Sequence, residues 1–220
     1  MKNYLFIFAV FLILFNSCVK KECRNFVGAY NFEIPATLSP ARDTYQVGDT
    51  IKFISMFADQ VYETKTDRYY KLTDFMFFPN LRIREISDTV WNEAALSSFE
   101  MIVNDSFNFS EFNYSDGAIS YIGQYNYESG NYTLAYMLIP RAAGFFHFSH
   151  SCSLVKLGED QDFDGKCKNI SSDVVVKLND GADNNIEMLN DSPDPHYNDW
   201  ILQKPEERFH KFGGYCFYVK

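Results

Sequence analysis

The pattern of apolar and polar positions divides the chain into one continuous apolar run near its start and a long series of alternating segments. The run 4–15 contains twelve apolar residues and follows the positively charged Lys2. A bilayer takes about 20 apolar residues to span, so this run is too short for a transmembrane helix. A basic residue followed by such a run is the layout of a secretory signal peptide. The sequence therefore predicts a signal-peptide helix ahead of the folded part of the chain.

Beyond residue 25 the apolar positions recur with a period of two. In segment 26–34, for example, Phe32 falls on one face and Glu33 on the other. This alternation predicts a half-buried strand. Because proline cannot donate a hydrogen bond to a neighbouring strand, Pro35 and Pro40 are expected to end it.

The same criteria predict that most of the chain is built from strands. Strands are expected near 51–57, within 75–86, 101–112 and 119–127, and at 132–139, 145–152, 174–178 and 215–219. Residues 128–131 predict a hairpin turn, whereas the polar segment 58–72 is expected to be a loop. Segment 87–99 is predicted to contain a short helix.

A shift to Asn, Asp and Pro after residue 180 marks a C-terminal extension that begins at about residue 181. Within it, Pro205 stands at a first helical position, Glu206 in the first turn and Lys211 in the last. Proline at that position, and acidic then basic residues at the two ends, suit the helix backbone and its dipole. A short helix followed by a final strand is therefore predicted at the C-terminal end.

Two segments carry a resemblance to a known class of domain. Residues 40–53 read P-x-x-D-T-Y-x-V-G-D-T-I-x-F, and residues 132–148 form a strand–Pro–Gly–strand pattern, YTLAYMLIPRAAGFFHF. They resemble the first hairpin and a second signature of immunoglobulin-like β-sandwich domains in bacterial surface proteins, in particular small Bacteroidota lipoproteins. The Cys-Trp-Cys spacing of antibody domains is absent. The resemblance therefore implies sandwich architecture and nothing about a ligand.

The expected fold is all-β: an immunoglobulin-like antiparallel β-sandwich with a short C-terminal helix and a final strand. A hydrophobic content of 46% is ample for a core. Removal of residues 1–17 leaves 203 residues, a length that suits one large β-domain. A single domain over residues 26–220 is expected, with the extension from about residue 181.

The residues directly after the apolar run indicate lipidation. The sequence LFNSC at residues 14–18 resembles the loose lipobox of Bacteroidota lipoproteins. This resemblance implies a signal peptide of residues 1–17, cleavage before Cys18, acylation of the Cys18 thiol and a lipid-anchored tether over residues 18–25. The expected location is the cell outer membrane, on its periplasmic or its surface side. An ordinary secretory signal with cleavage nearby is the alternative.

Net charge narrows the range of partners. Lys2 is the only charged residue of the predicted signal peptide, so the remaining chain carries 19 basic and 29 acidic residues and a net charge of −10. Such a protein lacks the basic footprint that nucleic acid requires and is not attracted to anionic lipid headgroups. Membrane association is therefore expected to come from the acyl anchor alone.

Five cysteines are an odd number for an exported chain. Acylation of Cys18 leaves four, which fits two disulfides in an oxidising compartment. Three pairings are possible. The favoured one joins Cys152 to Cys167 across a local loop and Cys23 to Cys216 between the two ends of the mature chain.

One acidic segment resembles the start of a calcium loop. Asp160, Asp162 and Asp164 alternate and precede Gly165, as in D-x-D-x-D-G, where the carboxylates converge on one hard cation. The twelfth position is Ser171 and not the bidentate glutamate of a complete loop. A solvated acidic turn is therefore favoured over a structural Ca²⁺ site, and no other cofactor is indicated.

The histidines and the known catalytic motifs give no sign of enzymatic chemistry. His147 and His150 lie three residues apart on a predicted strand, which places them on opposite faces and excludes a zinc pair. The sequence contains no nucleophile elbow, metalloprotease motif or phosphate-binding glycine loop. The chain is therefore not expected to be an enzyme.

The tyrosines of segment 58–72 are the best candidates for a ligand site. Tyr62, Tyr69 and Tyr70 flank the wholly polar stretch 64–68, so they are expected to be exposed. Exposed aromatic rings stack on sugars or anchor a protein partner, although most aromatic residues of the chain are expected to fill the core. The leading hypothesis is a non-enzymatic surface binding or assembly module, accessory to an outer-membrane uptake complex. A carbohydrate-binding lipoprotein is the alternative, and a hydrolase without a recognisable motif is the third hypothesis.

Overall fold

The computed structural model describes residues 23, 26–87, 95–103, 109–113, 119–156, 158–192 and 194–220. The predictions for the signal peptide 1–17, for Cys18 and for most of the tether 18–25 lie outside these residues. Residues 88–94 of segment 87–99, where a short helix is predicted, also lie outside them, and the described part of that segment contains the helical turn Ala95–Ser98. None of the described helices is long and apolar enough to cross a membrane.

Strands make up most of the described chain, and its helices are short. The strands are β1 (Tyr30–Ser39), β2 (Thr44–Tyr45), β3 (Ile51–Ala58), β4 (Gln60–Glu63), β5 (Arg68–Lys71), β6 (Phe78–Glu85), β7 (Phe99–Val103), β8 (Ser110–Asn113), β9 (Ile119–Ile122), β10 (Asn126–Glu128), β11 (Asn131–Pro140), β12 (Gly144–Ser153), β13 (Val155–Lys156), β14 (Glu159–Asp160), β15 (Ser172–Leu178) and β16 (Tyr215–Val219). The helical segments are Ala95–Ser98, Asn179–Gly181, Ile186–Asp191, His196–Ile201 and Glu206–His210.

Two sheets share strand β1. In the large sheet the neighbours run β5-β4-β1-β15-β12-β6-β9-β8, with β16 beside β12 and β2 beside β16. In the small sheet β11 pairs with β10, β7 and β3, and β3 pairs with the end of β1. Most pairs are antiparallel, but β1–β15 and β2–β16 are parallel. The chain is mostly β, as predicted, but the expectation of a wholly antiparallel arrangement is wrong.

Aromatic side chains fill the main core between the two sheets. Phe53 of β3 lies 4.0 Å from His150 of β12, and Phe99 of β7 lies 5.0 Å from Phe146 of β12, measured between ring centroids. Each aromatic side chain removes a large apolar area from water, and a well-placed pair of rings adds about 0.5–1.5 kcal/mol. These contacts hold the two sheets together as a sandwich.

Strand β1 continues through Pro35, where the sequence predicted that it would end. Before this residue β1 pairs with β4 at Glu33, and beyond it β1 pairs with β3 from Thr37. Pro35 therefore sits where β1 changes from one neighbour to the other, a position at which a missing N–H is tolerated. The Ser55 hydroxyl donates to the Pro35 carbonyl at 2.6 Å and ties β3 to this point.

The hairpin expected in segment 40–53 is a crossover between the sheets. Its turn forms, because the Asp49 N–H donates to the Gln46 carbonyl at 3.0 Å. The flanking strands do not pair with each other: β2 pairs with β16 in the large sheet, whereas β3 belongs to the small sheet. The turn residues thus predict a change of direction but not the partner of each strand.

Segment 58–72 is a hairpin of β4 and β5 and not the expected loop. Tyr62 pairs with Tyr69 across it. The carboxylate of Glu63 accepts hydrogen bonds from the backbone N–H groups of Lys65 and Thr66 at 3.1 and 2.8 Å and from the Thr66 hydroxyl at 2.6 Å. The polar residues of the segment therefore build the turn, and for this reason their composition imitates a loop.

The C-terminal extension covers part of the outer face of the large sheet. Its short helices bury Leu189, Tyr197, Ile201 and Phe209 against Cys216 of β16 and Ile86, which together form a second core. The predicted helix near residue 205 is present as the short segment Glu206–His210, and the predicted final strand is β16. The extension leaves β1 and β15 uncovered and forms a wall beside them.

The disulfide joins Cys23 to Cys167, so both favoured pairings are wrong. Cys152 and Cys216 are unpaired within the described part of the chain. Side chains alternate along a strand: the neighbours of Cys216 in β16 point into the main core, while Cys216 faces the second core under the extension. Cys23 instead packs against the main core. Burial raises the pKa of both free thiols, which keeps them protonated and unreactive.

Two candidate binding surfaces

The outer face of the small sheet is apolar. Along β3, buried residues alternate with outward ones, and the outward Ile54 and Met56 are 47% and 64% exposed. Outward residues of β11 and β7 continue the same surface. We call this surface the apolar face, and its members are Ile54, Met56, Ile102, Ala135, Met137 and Ile139.

The strand register sets the members of the apolar face side by side in pairs. Ile54 pairs with Ala135 on β11, and Met137 of β11 pairs with Ile102 on β7. Lys52 of β3 pairs with Met137 on its other side and, with an ion pair between Glu100 and Arg141, borders these apolar side chains. An exposed apolar patch rimmed by polar side chains is typical of a protein-interaction site.

The outer face of the large sheet carries a groove over β1 and β15. This groove has a volume of about 770 Å³, and its wall is the helical segment Glu206–His210 with Lys211. Parallel pairing places Asn31 beside Asp173, Glu33 beside Val175 and Pro35 beside Lys177. We call this depression the groove; its floor is formed by outward residues of the two strands, including Asn31, Glu33, Asp173, Val175 and Lys177.

Charges on the groove floor occur in opposite pairs. Lys177 lies 3.8 Å from Glu33, and the Lys211 ammonium donates to the Asp173 carboxylate at 2.9 Å. All four side chains are partly exposed, and such pairs contribute about 0–1 kcal/mol to stability. The pairs are therefore cheap to rearrange around a polar ligand.

Tyr62 and Tyr69 stand at one end of the groove. A smaller hollow of about 270 Å³ lies against both rings and shares Glu33 and Lys177 with the groove. The two ring centroids are 5.4 Å apart, and Tyr69 is 68% exposed. The register places Tyr69, Tyr62, Glu33 and Val175 in one row across four strands.

Local hydrogen bonds fix the tyrosine end of the groove. The Tyr62 hydroxyl donates to Asp67 at 2.8 Å, which raises the pKa of Tyr62. Burial would raise the pKa of Glu63, but hydrogen bonds from Asn31, Thr66 and Lys65 outweigh burial and lower it. The fully buried Glu63 carboxylate thereby joins the β4–β5 turn to β1 through the Asn31 N–H, at 2.8 Å.

Tyr70, the third tyrosine of the predicted ligand site, does not reach the groove. It follows Tyr69 on β5 and therefore points to the opposite face. Its ring packs in the core against Tyr30 at 5.8 Å and Phe163 at 5.0 Å. The structure thus brings Tyr62 and Tyr69 together and assigns Tyr70 to packing.

The three aspartates of the acidic segment, Asp160, Asp162 and Asp164, do not converge on one point in the structure. Asp160 accepts a hydrogen bond from the Ser172 N–H at 3.2 Å, while Asp162 points into solvent 3.5 Å from Lys166 and Asp164 is exposed. Within the described ranges, no three His, Cys, Asp or Glu side chains form a group that could hold a metal. The segment is an acidic turn, but the bond that pins it is Cys23–Cys167.

His147 and His150 lie on opposite faces of β12, as predicted. His150 is in the main core, 3.0 Å from the Tyr136 hydroxyl, whereas His147 stacks on Phe209 of the extension. Burial lowers the pKa of each to about 3, with Arg84 as a further cause for His147. Both imidazoles are therefore neutral, and their burial keeps them away from any dissolved substrate.

Comparisons with known proteins leave the family of the chain open. The chain matches no protein-family model, and no curated protein matches it significantly. Among solved structures it has a distant similarity to cohesin modules. With the type II cohesin dyad from an adaptor scaffoldin of Acetivibrio cellulolyticus, the TM-score is 0.32 and the identity 10%, over 66% of this chain and 46% of the other, so the match spans about half of that protein.

Two single cohesins give similar values. For the cohesin module of a Clostridium perfringens family 33 glycoside hydrolase, the TM-score is 0.30 and the identity 12%, over 68% of this chain and 99% of the other. For a non-cellulosomal cohesin from Archaeoglobus fulgidus they are 0.29 and 9%, over 88% and 92%. Scores this low carry no argument about function, so the proposals below rest on the chain's own geometry.

Proposed function

We propose that this protein is a non-catalytic binding module that docks a separate protein partner on the apolar face. The observation that carries this proposal is the patch of aliphatic and methionine side chains on the outward face of β7, β11 and β3, of which Ile54, Met56 and Ile102 are exposed. An outward sheet face in water normally carries polar residues. Burial of this face in a complex would gain roughly 25 cal/mol for each Å² of apolar area removed from water.

The size of the apolar face favours a dissociable complex with another protein over a permanent homodimer. Stable interfaces take about 20–30 residues from each side, and obligate dimers take more. Six apolar side chains are enough for the centre of a smaller interface, where a few residues carry most of the binding energy. Met56 and Met137 add adaptability, because unbranched thioether side chains repack easily against different surfaces.

The proposed setting is the bacterial outer membrane, where the protein is anchored through acylated Cys18 and serves an uptake or assembly complex. The signal-like run 4–15 and the LFNSC sequence support export and lipidation. The Cys23–Cys167 disulfide also favours an oxidising compartment. The even cysteine count no longer adds support, because Cys152 and Cys216 are unpaired thiols.

The disulfide limits how far the domain can stand from such an anchor. From Cys18 to Cys23 the chain advances five residues, which span at most about 18 Å when fully extended. Since Cys23 is bonded to Cys167, the end of the domain that holds this bond would lie close to the lipid.

Site-specific crosslinking tests the docking proposal. A photoreactive amino acid is placed at Met56, with Tyr218, a 41% exposed residue on β16, as the matched control position. On intact cells we expect one protein adduct from position 56 that is absent from position 218. The captured protein is then purified, and Ile54→Glu should weaken its binding at least tenfold, or about 1.4 kcal/mol. Adducts of the chain with itself, equal capture from both positions, or unchanged binding by Ile54→Glu would each contradict the proposal.

A further inference from the structure

We propose that the groove and the Tyr62–Tyr69 pair form a binding site for an extended, uncharged glycan. This site lies on the large sheet and is separate from the apolar face on the small sheet. It therefore does not depend on the proposed protein partner.

The shape of the site fits a chain of sugar rings. The smaller hollow at the tyrosines and the larger groove share Glu33 and Lys177, so they form one trough that runs from Tyr69 across four strands to the wall at Lys211. The groove, with about 770 Å³, is of the size that small-molecule ligands occupy, and the hollow at the tyrosines extends it by about 270 Å³. A trough that is open along its length suits an oligomer better than a single small molecule.

The chemistry of the trough matches that of a sugar. Each sugar ring presents an apolar C–H face, which can lie on the Tyr69 ring. It also carries hydroxyl groups that both donate and accept hydrogen bonds. Along the floor, the carboxylates of Glu33 and Asp173 accept hydrogen bonds, and the ammonium groups of Lys177 and Lys211 donate them. A donor and an acceptor thus lie side by side at two places in the trough, 3.8 and 2.9 Å apart.

Charge excludes an acidic ligand. Five carboxylates line the groove against three lysines, and the pairs of Glu33 with Lys177 and Asp173 with Lys211 already occupy two of the lysines. A phosphorylated or sulfated ligand would meet uncompensated negative charge, which is repulsive at these distances. An uncharged ligand avoids this cost.

The backbone beneath the groove excludes a peptide that binds by adding a strand. Such binding requires a free strand edge. In the floor, β1 lies between β4 and β15, and the Val176 N–H of β15 donates to the Lys211 carbonyl at 3.1 Å. The floor therefore offers side chains and no backbone edge.

The tyrosine end is held in place before any ligand arrives. The Tyr62 hydroxyl is fixed by Asp67, and Glu63 holds the hairpin to β1. A site that is already ordered loses less conformational entropy on binding. Tyr62 and Tyr69 are thus binding residues, and Glu63 is a positioning residue.

Isothermal titration with four uncharged probes tests the proposal: maltohexaose, cellohexaose, xylohexaose and chitohexaose. We expect at least one of them to bind with a Kd below about 10 mM, and Tyr69→Ala to weaken it about tenfold. Lys177→Met should weaken it by a smaller factor, because only hydrogen bonds are lost. Tyr218→Ala, an exposed tyrosine on another surface, should leave the Kd unchanged.

The outcomes separate this proposal from the docking proposal. Failure of all four probes to bind, or a Kd that Tyr69→Ala and Lys177→Met leave unchanged, would overturn the glycan site. Tighter binding of polygalacturonate than of every uncharged probe would overturn the uncharged class. In each case the crosslinking result at Met56 is expected to be the same in the wild type and in Tyr69→Ala.

Discussion

The outward faces of the two sheets differ in what they present to water, although the same alternation of side chains builds both. On β3 and β11 of the small sheet the outward positions include Ile54, Met56 and Met137, so much of the outward face of these strands is apolar, although Lys52 and Thr133 also lie on it. On β1 and β15 of the large sheet the outward positions carry Glu33, Lys177 and other polar groups. Burial of the apolar face against a partner is favourable because it removes apolar area from water. The groove of the large sheet can instead bind a hydrated, polar ligand.

A difference in outward residues within the large sheet also explains the role of the C-terminal extension. Over β12 and β16 the outward residues are apolar enough to bury the helices of the extension in a second core. Over β1 and β15 they are charged and remain open, so the edge of the extension becomes the wall of the groove. The protein covers one part of the large sheet with its own chain, while the apolar face of the small sheet has no such cover among the described residues.

Loss of the disulfide should affect both surfaces and have the largest effect on stability. Cys23→Ser removes a crosslink between residues 144 positions apart, and we expect the free energy of unfolding to fall by about 4–5 kcal/mol. Chemical denaturation measures this change. The unpaired Cys152→Ser is the matched control and should lose much less. Equal losses in the two variants would contradict the observed pairing.

Acid should destabilise the protein through its two buried histidines. Their pKa values fall from about 6.5 in the unfolded chain to about 3 in the folded one, so the unfolded state binds more protons below pH 6.5. The contribution of the two neutral histidines to the free energy of unfolding is therefore fully present above pH 6.5 and decreases as the pH falls towards 3. At pH 5 the loss is about 4 kcal/mol for both residues together.

Single substitutions show how much of the acid destabilisation comes from the histidine beneath the apolar face and how much from the histidine beneath the extension. His150 lies beneath the strands of the apolar face, and His147 lies beneath the extension that walls the groove. His150→Gln or His147→Gln should each reduce the pH dependence between 6.5 and 5 by about half, as measured by denaturant unfolding at several pH values. His210→Gln, in the more exposed helical segment, is the control. A pH dependence that neither substitution reduces would refute this assignment.

Glu63→Ala should weaken the groove and spare the apolar face. It leaves the partly buried N–H groups of Asn31 and Thr66 without their acceptor, which costs about 1–3 kcal/mol. The loosened hairpin should also lower affinity for the bound glycan probe. Because the pKa of Glu63 is lowered, its contribution is present above about pH 4.3 and is lost as the pH falls below that value.

The exposed Glu128→Ala is the control for this substitution and should change neither stability nor binding. Lower glycan affinity without lower stability would place Glu63 in contact with the ligand, against the positioning role assigned to it. Crosslinking from Met56 should be the same in both variants.

Local pattern predicted individual strands well but not their neighbours. Alternation and turn residues located β6, β11, β12, β15, β16 and the β10–β11 hairpin. The β4–β5 hairpin was missed because Glu63 is buried as an acceptor for backbone N–H groups, and a buried carboxylate looks like a loop residue in the sequence. The strand break expected at Pro35 and the pairing expected for Cys216 failed for a related reason: both depend on which elements lie alongside.

The candidate sites, like the strands, could be predicted only where the local sequence determines them. Tyr62 and Tyr69 could be predicted, because a polar stretch separates tyrosines that face outward. The groove could not, since Glu33 and Lys177 are far apart in the chain and meet only through the parallel pairing of β1 with β15. The apolar face had a signal, because Ile54 and Met56 are apolar at outward positions of segment 51–57, but a strand buried on both sides gives the same signal.

Paired crosslinking from the two surfaces is the decisive test of where the protein partner binds. A photoreactive residue at Met56 on the apolar face is compared with one at Tyr69 in the groove, both exposed and both on intact cells. We expect a discrete protein adduct from Met56 and none from Tyr69, and we expect an added glycan probe to leave the Met56 adduct unchanged. A protein adduct from Tyr69 with none from Met56 would contradict this expectation, because the partner would then occupy the polar surface and leave the apolar one exposed.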